Sequence, residues 1–176
     1  GGVGSIKGIR PFAVEKQLFS YERDCVLTDM EGKKAEMIRY VPVDLAGSDY
    51  KSNIVYGFQK SVGVGSLLKE LSPVSAGESK AGVSKLAGKC SHKPQCSGDS
   101  FRADCPRIMI LPVVDSFKTP DGGAMKVTGF AAFLAQGAET NENHALIRGR
   151  FIKHTTNSKI NDAVQDFGVY GVEVVQ

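Results

Sequence analysis

At 176 residues, with 41% hydrophobic and 23% charged side chains, the chain suits one domain, which can bury about 70% of its unfolded surface without covalent staples. A formal net charge of +3 is too small for nucleic-acid binding, which needs several cations on one face, and no apolar run approaches the about eighteen residues of a membrane helix. Its 20 glycines point to a turn-rich β protein and away from a helical bundle.

The opening Gly1-Gly-Val-Gly-Ser-Ile-Lys-Gly8 reads as a linker or tag remnant feeding a single domain over 9–176, and suggests that something upstream has been removed. Ile9 to Val14 is an extended lead-in, with the backbone fixed at Pro11 and apolar anchors at Phe12 and Val14. Cys25-Val-Leu-Thr28 is a short strand, followed by a turn at Asp29 to Gly32. Glu36 to Leu45 has the composition of a second strand. Pro42 cannot donate to a ladder, so this strand is expected at an edge or to end there. The period then changes: Ser48 or Asp49 can cap a short helix that places Tyr50 and Ile54 on one face and stops at Gly57. Ser61 to Leu71 reads as a turn and a strand, and a second weak helix follows Ala76-Gly-Glu-Ser79 through Leu86.

Three apolar β-type segments come next, Cys105 to Asp115, Met125 to Leu134 and Ala145 to Ile152. They are separated by turn residues at Thr119 to Gly123 and Glu139 to Asn143, so three adjacent strands of a central sheet are expected. Asp166 to Val175 is expected to pair back as a last strand. The fold class is mainly β (α+β): an antiparallel sheet, as a partly closed barrel or a sandwich, with two short helices.

Residues able to carry chemistry are few. Of the four cysteines, Cys25, Cys90, Cys96 and Cys105, three lie in one polar, proline-bearing loop. Their even count fits two disulfides in an oxidising compartment, in any of three pairings; free buried thiols of a cytosolic protein are the alternative. Spacing disfavours zinc: five residues separate Cys90 from Cys96 and eight separate Cys96 from Cys105, no Cys-x-x-Cys pair occurs, and His92 completes no recognised ligand pattern. Asp99, Asp104 and Asp115 lack the alternating ligands of a calcium loop, and Gly57, Gly63 and Gly65 match neither a dinucleotide fingerprint nor a phosphate loop. His92, His144 and His154 fall outside hydrolase and metalloprotease patterns and read as surface histidines. Arg148, Arg150, Lys153 and His154 are the nearest thing to a basic cluster. On a strand Arg148 and Arg150 share one face and Lys153 takes the other, a solvated arrangement. Asn53, Tyr56 and Gly57 read as ties between loops and the first helix. No catalytic group, cofactor or metal is assigned.

The succession Asp49-Tyr-Lys-Ser-Asn-Ile-Val-Tyr-Gly57, Val62-Gly-Val-Gly65, Cys96, Asp104-Cys-Pro-Arg-Ile-Met-Ile-Leu-Pro-Val-Val-Asp115, Val127-Thr-Gly-Phe-Ala-Ala-Phe133 and Gly149-Arg-Phe-Ile152 resembles the C-terminal domain of TadG-related proteins. These belong to the TadE/TadG-like group associated with Flp (Tad) pilus assembly in bacteria. The resemblance implies an extracytoplasmic domain held by an N-terminal membrane helix that precedes this chain. It also implies a disulfide between Cys96 and Cys105, which leaves Cys25 and Cys90 as the second pair. The chain departs from the family at Glu70 to Ser79, where the Glu-Pro-Gly and Gly-Pro-Thr motifs are not kept. The expected role is a non-enzymatic module touching pilus or cell-envelope proteins, or another copy of itself. The alternative is an envelope enzyme or small-ligand binder built from dispersed residues such as Asp115, His144 and Arg148.

Overall fold

The computed structural model describes residues 4–32, 34–120 and 122–153, so His154 and the expected strand from Asp166 to Val175 lie outside the described residues. The elements are β1 (Ser5–Ile6), β2 (Phe12–Glu15), β3 (Cys25–Thr28), β4 (Met37–Asp44), α1 (Tyr50–Tyr56), β5 (Val62–Gly63), β6 (Leu67–Glu70), α2 (Ala76–Ala87), β7 (Ile108–Val114), β8 (Met125–Asn141) and β9 (His144–Ile152).

The apolar segments after the cysteine loop pair in sequence order, β7 with β8 and β8 with β9, both antiparallel. Glu142 and Asn143 close the second hairpin with φ of 48° and 67°, the two left-handed residues of a turn whose twist matches that of the strands it joins. The turn thus falls at the end of the expected Glu139 to Asn143 stretch, and β8 runs on to Asn141. The edges of this sheet then meet. β2 pairs parallel with β7 and antiparallel with β4, while β3 pairs parallel with β4 and antiparallel with β9. The circuit β2, β7, β8, β9, β3, β4 and back to β2 is a closed six-stranded barrel, which decides between barrel and sandwich. Closure removes the unpaired edges that an open sheet would offer to other chains.

All six barrel strands contribute to one apolar cluster, as alternate inward-pointing residues of a barrel must. Phe12, Leu27, Tyr40, Met109, Phe133 and Phe151 are among its members, and the helices add Tyr50, Ile54, Val83 and Leu86. Phe133 and Phe151 meet edge to face at 5.1 Å between ring centroids. A second cluster, with Val43, Val62, Leu68, Val127 and Phe130, joins β1, β5 and β6 to β2, β4, β7 and β8. Among the described residues no helix is long and apolar enough to cross a membrane.

Two expectations are corrected here. Pro42 lies inside β4, not at an edge: Phe12 of β2 is its register partner, and β6 pairs with β4 on the other flank. The missing N–H is tolerated because the backbone N of Val43 donates to Pro11 on the β2 side, so the Pro42 nitrogen faces the opposite side. There β3 pairing has ended at Arg39 and β6 pairing begins at Val43. The described part of the expected linker is built into the fold as well. Ser5 and Ile6 pair with β5, Ile6 is buried, and the Gly8 N–H donates to the Phe58 carbonyl while the Phe58 N–H donates to the Ile9 carbonyl.

Both helices start where side-chain oxygens can accept orphan amides. Asp49 accepts from the Ser52 N–H at 2.9 Å to begin α1, and Ser75 accepts from the Glu78 N–H at 3.1 Å to begin α2. Gly57 ends α1 at φ 82°, with its backbone so close to Gly8 that an added Cβ would lie 2.7 Å from that residue's carbonyl oxygen.

Candidate functional site

The connection from α2 to β7, residues 88–107, has no helix or strand of its own, a length that in compact domains marks either a functional loop or a linker, and here the loop packs on the barrel. Its sulfur atoms turn inward. Cys96 and Cys105 are buried together with Ile108, Ala132, Leu134 and Ile152, and Cys90 packs at the margin. His92, expected at the surface, is instead inserted between the thiols with its side chain only 21% exposed. Its Nδ1 lies 3.2 Å from Cys96 Sγ and 3.8 Å from Cys90 Sγ, and its Nε2 lies 3.4 Å from an Asp104 carboxylate oxygen. The donor atoms of Cys90, His92, Cys96 and Cys105 all fall within 4.8 Å of one another.

Backbone and guanidinium groups fix this arrangement. The Arg102 N–H points at Cys96 Sγ at 3.4 Å, and a turn closed by the Cys105 N–H on the Arg102 carbonyl brings Cys105 under the cluster. Arg107, 5% exposed, donates to the carbonyls of Ala135 (2.8 Å), Cys96 (2.8 Å) and Gln136 (3.4 Å). Ala135 and Gln136 lie just past the last β7–β8 pair, Ile108 with Leu134, where β8 also bulges against β9, so no regular β7 partner takes up these carbonyls. The loop tip is tied to the barrel by Arg150, whose Nη1 meets Asp99 at 2.9 Å and whose Nε meets Asp24 at 3.0 Å.

Electrostatically the thiols are unequal. Burial alone would raise Cys90, but amides of Cys96 and His92 and the side chains of Cys105 and His92 hydrogen-bond to it and bring it down to about 6. Cys105 is pushed up to about 12 by burial and by donating its proton toward the neighbouring sulfurs. The cluster therefore favours one thiolate, on Cys90, solvated by the other members. Three thiols and an imidazole at these distances can ligate one soft cation, or can be oxidised in pairs. Comparison of the chain with protein-family models, curated proteins and solved structures finds no match.

The cysteines do not segregate into the expected pairs. All four are free thiols, so neither the Cys96–Cys105 nor the Cys25–Cys90 bridge is formed here, and Cys25 packs against the barrel-interior cluster, outside the cysteine and histidine group. The spacing argument against metal ligation also fails to anticipate the geometry. It assumes ligands paired on tight knuckles, whereas here one loop doubles back between two anchored ends and brings donors from separate turns together. The available signal was the density of Cys and His in one proline-bearing loop. Arg107 was missed, since nothing local marks an arginine for burial.

The other candidates disperse. Asp115 pairs with Lys16 at 2.7 Å, His144 Nδ1 lies 2.9 Å from Asp29, and Arg148 meets Glu139 at 3.6 Å, three contacts that share no residue. Arg148 and Arg150 do project from the same face of β9, as alternation predicts. Asn53 donates to Ser48 Oγ at 2.8 Å, tying the helix to the preceding loop, while Tyr56 is exposed beneath the ammonium of Lys89. A polar cleft of about 260 Å³ opens beside β4 and the β6–α2 loop, lined by Asp29, Arg39, Glu70 and Ser72 among others.

Proposed function

We propose that this chain is a non-enzymatic contact module of the bacterial cell envelope, related to the TadG group of Flp (Tad) pilus assembly and working outside the cytoplasmic membrane. The reading starts from the resemblance of the Cys105 to Asp115 and Val127 to Phe133 segments to that group. The observation that supports it best is the construction of the 88–107 loop. Its inner residues, Cys96, Cys105 and Arg107, are buried against the barrel, while Lys93, Pro94, Gln95, Ser97, Asp99, Ser100 and Arg102 face outward. A recognition loop held in one conformation from beneath loses little freedom on binding, which lowers the entropic cost of association. Asp115, His144 and Arg148 are taken up in three separate ion pairs, and the module acts through protein contacts with pilus or envelope components.

The test is site-specific photo-crosslinking in the native host, with the probe at Lys93 or Ser100 of the exported protein. Capture of a pilus or envelope subunit from the loop positions, and not from a probe at the exposed Leu67 of β6, which pairs with the start of β8, is expected. Exported protein that crosslinks nothing from the loop, or the same partners from Leu67, removes the reading.

A further inference from the structure

We propose that Cys90, His92, Cys96 and Cys105 bind a single Zn²⁺ in a tetrahedral site that fastens the 88–107 loop to the barrel. The inference is independent of the contact role. Distances carry it first. With Zn–S near 2.3 Å and Zn–N near 2.05 Å, a tetrahedron has N···S edges of about 3.6 Å. The His92 Nδ1 distances to Cys96 and Cys90, 3.2 Å and 3.8 Å, bracket that edge. Four donors within 4.8 Å of one another then need only small side-chain rotations to surround one ion. Three thiolates and an imidazole form a donor set that selects zinc over calcium or magnesium, which take oxygen ligands.

The surroundings supply what such a site requires. A ligating histidine normally gives its other ring N–H to a carboxylate, and Asp104 stands 3.4 Å from His92 Nε2, leaving Nδ1 for the metal. The Arg102 N–H aimed at Cys96 Sγ is the kind of donor that stabilises a bound thiolate. Charge gives a third reason. Zn²⁺ with three thiolates and a neutral imidazole carries a net charge of −1. The buried Arg107 cation, whose partners are the carbonyls of Ala135, Cys96 and Gln136, is linked to the site through Cys96 and balances it. A buried charge facing carbonyl dipoles alone is costly. Zinc binding would release the remaining thiol protons to solvent and make the loop's order depend on the ion. In an oxidising compartment a disulfide between two of these cysteines is the competing fate.

Metal analysis and intact-mass measurement on the chain, purified without chelator or added reductant from both cytosolic and exported expression, test the proposal. Bound zinc at one ion per chain, replaceable by Co²⁺ with the d–d and thiolate charge-transfer bands of a tetrahedral sulfur site, is expected from both. Asp104→Asn, an exposed change that should leave folding intact, should weaken zinc retention 10- to 100-fold in a chelator competition. Cys25→Ser should leave it unchanged. Three outcomes overturn the proposal. One is exported protein whose mass is lower by the hydrogens of a disulfide and which holds no zinc. Another is zinc-free, fully reduced protein whose 88–107 loop resists protease as well as protein supplied with zinc. The third is zinc retained undiminished in both His92→Asn and Cys90→Ser.

Discussion

Arg107 Nη1 donates to the carbonyl of Cys96 at 2.8 Å, while its Nε reaches Ala135 on β8 at the same distance, so one buried guanidinium joins the cysteine loop to the barrel bulge. The Ala135 N–H returns a bond to the Arg107 carbonyl at 2.9 Å, which makes the clamp two-sided. Removing the side chain strands these carbonyls. At about 1–3 kcal/mol for a buried group left unpaired, Arg107→Leu should lower unfolding free energy by about 3 kcal/mol. Arg107→Lys should recover little, because one ammonium cannot span acceptors arranged for a planar fork. Urea denaturation of the two variants checks this; a loss below about 1 kcal/mol would show that the clamp is dispensable.

Gly149 crosses β8 where no side chain fits. An added Cβ would run into the Leu134 carbonyl oxygen and come within 2.6 Å of the Phe133 ring, both fully buried. Overpacking of this kind typically costs about 1–3 kcal/mol and at a barrel seam should reach the upper end, so Gly149→Ala should lower the melting temperature by several degrees. A variant that melts with the parent would mean the β8–β9 contact is looser than its register implies.

Ser75 opens α2 with a reciprocal cap. Its hydroxyl oxygen accepts from the Glu78 N–H at 3.1 Å, and the hydroxyl lies 3.3 Å from the Glu78 carboxylate. Ser75→Ala should cost about 1 kcal/mol and Ser75→Asp should restore part of it, because the aspartate oxygen accepts from the same Glu78 N–H but cannot donate to the Glu78 carboxylate. Equal stability of serine and alanine by chemical denaturation would refute the cap's contribution.

Cys25 gives the fold a dependence on alkaline pH. Burial first, then the negative charge of Asp24, pushes its thiol up to about 11, against an ordinary value of 9.0, while a Phe151 backbone hydrogen bond and Arg150 oppose the rise. The folded chain therefore keeps a proton that the unfolded chain releases. The contribution is complete below pH 9 and is lost as pH climbs toward 11. Thermal melts across that window should fall more steeply for the parent than for Cys25→Ser, which has no proton to lose. Parallel slopes would assign the alkaline effect to other groups.

Much of this protein was legible one segment at a time. Strand Cys25–Thr28, a cap at Ser48 or Asp49 and the Gly57 stop of α1, and the three successive strands ending at Ile152 follow from neighbours a few residues apart, through alternation, capping oxygens and turn residues; the structure chose Asp49 as the cap. What the tertiary structure alone decided is long-range. Barrel closure depends on the parallel pairing of β2 with β7, which joins Val14 to Val113 and leaves no local signature. The same closure puts Pro42 between partners, because only the neighbouring strands determine which side its missing N–H faces. The convergence of Cys90, His92, Cys96 and Cys105 belongs to this second class. Residue types set which atoms could act together, but the distances between them depend on where α2 ends, where β7 begins and how Arg107 draws the loop between them onto the bulge. Short-range physics is written in adjacent side chains, whereas a site assembled from a folded-back loop exists only once its two ends have been anchored.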